Sequence, residues 1–138
     1  MTELSTAMNA LFALDGVVNL RDVRHWLRTV KTGSGVVRDL AVVEDDVLHD
    51  AILKVENVVC IKRVYVRVAV GSAQLDPLRS VVIDIVQKKE IIRRNDVISA
   101  AKAKGLKVTE RSFETVMREI CISKDGGFWM MKTGRNSV

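Results

Sequence analysis

The stretch CISKDGGFWMMK, Cys121 to Lys132, holds a lysine, a carboxylate and two adjacent glycines at Lys124, Asp125, Gly126 and Gly127. Glycines beside a lysine are the ingredients of a loop whose backbone amides cradle a phosphate. The same residues suit a hairpin bend, because Asp-Gly between strand-like runs accepts the positive φ of a type I′ turn. Context favours the bend. A phosphate loop leads from a strand into a helix N-terminus, whereas Ile120 to Ser123 and Phe128 to Met131 both read as strands and no helix-forming run follows.

Other residues with chemical potential are scattered. His25 and His49 fall on different expected helices with no nucleophile in suggestive context, and no paired-His or Cys-x-x-Cys spacing marks a metal site. Asp45-Asp46 reads as first-turn charge complementing a helix dipole and not as an acid/base pair. Cys60 and Cys121 are too few for a disulfide framework, so both are expected to be buried thiols in a reducing compartment. No catalytic residue, metal, cofactor or small-molecule ligand is expected, and the chain is not expected to be an enzyme.

One cluster stands out by charge. Lys88, Lys89, Arg93 and Arg94, followed by Lys102, Lys104 and Lys107, form a candidate basic contact surface. Such a patch could hold a nucleic-acid backbone weakly without reading its sequence, or it could be a solvated face that aids solubility. Residues 1–70 balance nine Lys/Arg with nine Asp/Glu, so the whole net charge of +5 comes from residues 71–138. An acidic partner is therefore expected only on the second half.

The elements that would position these residues come from periodicity. Asp76-Pro77 reads as an N-cap and first helical residue, followed by Leu78, Val81, Val82, Ile85 and Val86 on one face. A short extended piece, Glu90 to Arg93, precedes a second helix capped by Asn95, carrying Val97, Ile98, Ala100 and Ala101 and stopped at Gly105. Thr109 caps a third, with Phe113, Val116, Met117 and Ile120 at the spacing that buries one stripe. The hairpin follows, and 124–127 is its candidate wing. Phe128 and Trp129 alternate faces, so one is expected in the core and the other exposed.

The order helix, strand, helix, helix, hairpin is that of a winged helix, and the first half repeats it. Leu4, Met8, Leu11 and Phe12 start a helix, Val17-Val18 is the short strand, and Asp22-Val23 corresponds to Asp96-Val97. Trp26, Leu27 and Val30 belong to the second helix. Val47, Leu48, Ala51, Ile52 and Val55 stripe the third, and Cys60-Ile61 takes the strand position of Cys121-Ile122. The Gly-rich connector from Lys31 to Val43 is expected to be a longer loop. Val58 to Val70 offers no Gly, Asn or Asp to turn on, and reads either as a tight, irregular wing or as one long strand. The expectation is an α+β, mainly α chain of tandem winged helices, 1–70 and 72–138, each with three helices and a small antiparallel sheet. Gly71-Ser72 marks the boundary and is short, so limited freedom between the two is expected.

Winged helices commonly place the third helix in the major groove. Here the first copy carries Glu44, Asp45, Asp46, Asp50 and Glu56 against Lys54, which would repel phosphate. The second mixes Glu110, Arg111, Glu114, Arg118 and Glu119. Neither reads as a groove reader. No apolar run approaches the roughly 20 residues of a membrane helix, and a soluble, intracellular protein with no membrane partner is expected.

The segment KKEIIRRNDVISAAKAKGLKVTERSFETVMREICISKDGGFWMMK resembles the C-terminal end of a family of RNA polymerase III subunits, the larger half of that enzyme's TFIIF-like heterodimer. Arg93-Arg94-Asn95, Thr109, Cys121, Gly126-Gly127 and Trp129 carry the likeness, and VEDDVLHDAIL is similar upstream through Asp45, Leu48, Asp50 and Leu53. The family's first hairpin has a long inserted loop that this chain lacks between Lys62 and Val66. The resemblance implies a non-catalytic tandem winged-helix extension in the nucleus. It would contact other RNA polymerase III subunits and support assembly, stability and transcription of transfer RNA and 5S ribosomal RNA. It also implies an excerpt of a longer chain with Met1 as an artificial start. Rival readings of the architecture are a DNA-binding transcription regulator and a trafficking subunit of the ESCRT-II kind.

Overall fold

Leu4, Met8, Leu11 and Phe12 recur at helical spacing, and in the computed structural model all four are buried on α1, Glu3–Leu14. The structure describes residues 3–29 and 35–135. The strand β1, Val17–Asn19, leads directly into α2, Leu20–Thr29. A reciprocal pair of bonds fixes this junction. Asn19 N donates to Asp22 Oδ2 at 3.0 Å, and Asp22 N donates to Asn19 Oδ1 at 2.8 Å, so two amides at the helix start are satisfied by side chains. Val30 lies outside the described residues.

The connector expected as a loop contains a further helix, α3, Gly35–Leu40. Val37 and Ala41 are buried at its end, so tertiary burial outweighs the poor helix propensity of Gly and Val there. The three-helix expectation for the first half is thus corrected to four among the described residues. Next comes α4, Asp45–Leu53, which buries Leu48 and Ile52. Val55 just beyond it is also buried, whereas Val47, expected in the same stripe, is 49% exposed.

The hairpin β2 (Val58–Ile61) and β3 (Val64–Arg67) settles the open reading of this segment. Ile61 pairs with Val64, leaving a two-residue turn at Lys62-Arg63 with φ of 51° and 70°. Positive φ at both positions is the type I′ pattern, so a tight hairpin forms without the residues that usually favour it. Strand β3 lies in the middle, with order β1-β3-β2.

The second half begins with α5, Asp76–Lys88, Pro77 in its first turn. Asp76 does not act as the expected cap. Its carboxylate accepts from Val70 N (2.8 Å) and Gly71 N (3.1 Å), tying the connector, while Ser72 Oγ accepts from Leu75 N at 3.1 Å. The helix buries Arg79 and Ile83 as well as Leu78, Val81, Val82 and Val86, a wider face than one stripe, and Ile85 is only half-buried.

Strand β4, Ile92–Arg93, enters α6, Arg94–Ala103. The expected cap, Asn95, lies inside the first turn instead. Asp96 performs the role of Asp22, accepting from Arg93 N at 2.9 Å. At the other end Gly105 has φ of 71°, Gly105 N donates to Lys102 O, and Leu106 N donates to Ala101 O. These two bonds form a Schellman stop. Thr109 caps α7, Glu110–Ile120, through Ser112 N to Thr109 Oγ1 and Thr109 N to Ser112 Oγ, both 3.0 Å.

Helix α7 runs straight into β5, Cys121–Lys124, which pairs with β6, Phe128–Met131. The bend is a three-residue loop and not a two-residue I′ turn. Gly126 and Gly127 both take positive φ, and Lys124 pairs with Phe128. The strand order β4-β6-β5 repeats that of the first sheet. Phe128 and Trp129 are both half-buried, correcting the expected split into one core and one exposed ring, and Trp129 packs edge-on against Phe113 at 6.1 Å.

The chain is mixed α and β, with seven helices and two small antiparallel three-stranded sheets among the described residues. It divides into two units between Arg67 and Val68, and Thr133 to Arg135 belong with the first. Asn19 Nδ2 donates to Thr133 O at 3.1 Å. Arg135 N donates to Asp22 Oδ2 (2.9 Å) and Arg135 Nε to Asp15 Oδ2 (2.6 Å). Gly134 is buried between them, and a Cβ there would sit 2.7 Å from Asp22 Oδ2 and collide with the Asn19 amide.

Candidate functional site

The histidines stand apart from any nucleophile-base pairing. His49 Nδ1 lies 2.6 Å from the Tyr65 hydroxyl, and burial first, then the nearby Cys60 and Asp45, pushes Tyr65 up to about 12. The Tyr65 hydroxyl therefore stays protonated at neutral pH, and its hydrogen bond with Nδ1 orients the imidazole. His25 is exposed on α2. Cys121 is buried, which pushes its thiol up to about 12, and Cys60 is half-buried, not fully so as expected. Among the described residues no three His, Cys, Asp or Glu side chains converge to hold a metal, and no helix is long and apolar enough to cross a membrane.

The first-turn carboxylates of α4 have structural partners. Arg24 Nη2 donates to Asp45 Oδ1 at 2.6 Å while its Nη1 donates to Ala41 O at 2.9 Å, and Asp46 Oδ1 accepts from Val47 N at 2.9 Å. Glu44, Asp50 and Glu56 remain exposed beside them, so this face is acidic.

The candidate basic cluster is partly neutralised by its own unit. Lys89 pairs with Asp96 at 3.1 Å and Lys104 with Asp84 at 3.6 Å. Arg94 makes a two-pronged contact with Glu110, Nη1 to Oε1 at 3.0 Å and Nη2 to Oε2, and its guanidinium lies 4.8 Å from the Phe113 ring centre. Those bonds hold the Glu110 carboxyl below the usual carboxylate range. Asp96 is lowered too, chiefly by the Arg93 amide and then by Lys89. Lys88, Arg93, Lys102 and Lys107 are exposed and make no ion pair among the described residues. The seven expected cations thus reduce to four available ones, and Lys88 shares a shallow groove with Ile85, Lys89, Asn95, Asp96 and Ser99.

The three carboxylates of α7 all have cationic partners. Besides Glu110, Glu114 accepts from Arg118 Nε at 2.7 Å, and Glu119 pairs with the buried Arg79. Arg111 is exposed and makes no ion pair among the described residues, but with three carboxylates against two arginines the helix presents little net attraction to phosphate. At the wing, Asp125, Gly126 and Gly127 are exposed, Lys124 is half-buried, and a side chain at Gly126 would touch the Phe128 ring at 3.5 Å. No helix start follows this loop among the described residues, so its amides are not organised around an anion.

Two surfaces were not anticipated from sequence. Arg21 and Arg28 lie exposed at i and i+7 on α2 with His25 between them at i+4, a face whose spacing is visible in the sequence but masked by the balanced charge of the half. An apolar groove between α1 and α4, lined by Leu4, Val47, Asp50, Ala51, Lys54 and Val55, had no sequence signal beyond a valine that the stripe reading sent to the core.

Compared with known proteins, the chain matches no family model and no curated sequence.

Proposed function

We propose that each unit is a winged helix and that the chain is a non-catalytic protein-docking module of RNA polymerase III. In this reading it acts in the nucleus, contacts other subunits of that enzyme and supports its assembly and the synthesis of transfer RNA and 5S ribosomal RNA. The observation that carries the docking part is the state of the last helix of each unit, α4 and α7. The first carries exposed Asp46 and Asp50, flanked by exposed Glu44 and Glu56, with only Asp45 paired to a cation; the second carries three carboxylates against two arginines, and neither surface suits a phosphate backbone. The repeated strand order, with the returning hairpin strand in the middle of each sheet, supports the winged-helix part. The polymerase part rests on the resemblance of residues 88–132 to the family's C-terminal end.

Affinity capture with the tagged chain from nuclear extract tests this. Polymerase III subunits should be recovered; recovery of membrane-sorting machinery, or of no polymerase subunit, would reject the assignment. A duplex-binding assay addresses the DNA-regulator rival, which requires salt-dependent affinity that discriminates between sequences. Charge reversal at Lys88, Arg93, Lys102 and Lys107 should leave polymerase capture intact and abolish only weak, sequence-blind duplex binding.

A further inference from the structure

The groove between α1 and α4 has chemistry that selects an occupant. Its floor is apolar, made by Leu4, Ala51 and Val55, and its rim holds Val47, which is 49% exposed in the first turn of α4. Asp50 projects from the same helix into the lining and makes no ion pair among the described residues. Outside the lining, Glu44 and Asp46 lie exposed at the N-terminal end of that helix, where Asp45 is already paired with Arg24, and Lys54 is the only cation of the lining. An apolar trough with Asp50 on its lining and Glu44 and Asp46 toward the helix start complements a ligand that is apolar on one side and cationic on the flank that meets these carboxylates, away from Lys54.

We propose that this groove seats a basic amphipathic helix of a partner protein. Apolar side chains of that helix, spaced i and i+4, would cover Val47 and Ala51, while a flanking lysine or arginine would pair with Asp50. An acidic helix would meet Asp50, Asp46 and Glu44 with like charge, and a nucleic-acid backbone would be repelled for the same reason. The inference rests on the reading of the chain as a protein-docking module and names the class of its partner at one site.

The test uses the whole chain and a fluorescein-labelled peptide of about 18 residues, long enough to become helical when bound. The peptide is built of Leu, Ala and Lys with Leu on one helical face. Controls carry Glu for Lys, or the same residues in scrambled order. The patterned Lys peptide should bind, and amide resonances of Leu4, Val47, Asp50 and Ala51 should shift most. Asp50→Lys should weaken binding about tenfold or more, as should Val47→Ser, with circular dichroism confirming an unchanged fold, while Glu56→Lys, the same charge change outside the groove, should have little effect. Equal binding of the scrambled peptide, or equal losses at Glu56 and Asp50, would reduce the effect to general charge attraction and overturn the proposal. Polymerase capture that survives Asp50→Lys and Val47→Ser would sink the groove alone. Peptide binding at the groove without polymerase capture would sink the assigned enzyme and leave the groove standing.

Discussion

Arg79 on α5 is 1% exposed, and its Nη1 lies 2.9 Å from Glu119 Oε2 on α7. A guanidinium at that depth is tolerated because a carboxylate faces it. Removing one partner of a buried pair typically costs about 3–5 kcal/mol, whereas replacing both by apolar groups of similar volume is often neutral or better. Glu119 is 24% exposed, so Glu119→Ala should fall toward the lower end of that range. Chemical denaturation of Glu119→Ala and of the double variant Arg79→Met, Glu119→Leu should show a large loss in the first and substantial recovery in the second.

Lys62 and Arg63 hold positive φ at the tip of the first hairpin, a conformation costing an L-residue roughly 1–2 kcal/mol. Replacing them with Asn and Gly should raise stability by about 1 kcal/mol, read as a rise of a few degrees in Tm. The opposite change at the second hairpin, Gly127→Ala, should lower Tm, since no space is lacking there and only the φ of 78° resists the new side chain.

The acid limb of stability should depend on Asp96 and Glu110, whose folded-state carboxyls are held low by the Arg93 amide and by Arg94 respectively. A depressed folded pKa adds stability that is present above the unfolded values, about 3.9 and 4.3, and is lost as pH falls through the folded ones. Urea midpoints between pH 5 and about pH 2 should decline less steeply for Asp96→Asn than for the parent chain.

At the alkaline end the sign reverses in origin but not in outcome. Burial lifts Cys121 and Tyr65 to about 12. Their unfolded counterparts ionise near about 8.5 and 10, so the stability they contribute is complete below those values and drains away as pH rises toward the folded ones. Cys121→Ala should flatten the midpoint curve above about pH 9. In the native protein iodoacetamide should modify the half-buried Cys60 first, with Cys121 reacting only on unfolding.

Much of the second unit was legible because its signals are local. Thr109, Gly105, and the Phe113-Val116-Met117-Ile120 stripe each act within a few residues, and the structure realises all of them. What escaped was decided at a distance. The α3 helix owes its existence to burial of Val37 and Ala41, the Lys62-Arg63 turn to the pairing of β2 with β3, and the burial of Arg79 to a carboxylate forty residues further along the chain. The basic cluster was legible as charge, but not the carboxylates Asp84, Asp96 and Glu110 that fold back to quench part of it.

The docking of Thr133 to Arg135 on Asn19, Asp22 and Asp15 spans more than a hundred residues of chain. During vectorial synthesis the first unit can gather its own core early, yet the Asp22 and Asp15 carboxylates keep waiting for ligands that the ribosome delivers more than a hundred residues later. Pulse-labelled nascent chains should therefore acquire protease resistance in that unit in two steps, the second only after residue 135 has cleared the exit tunnel.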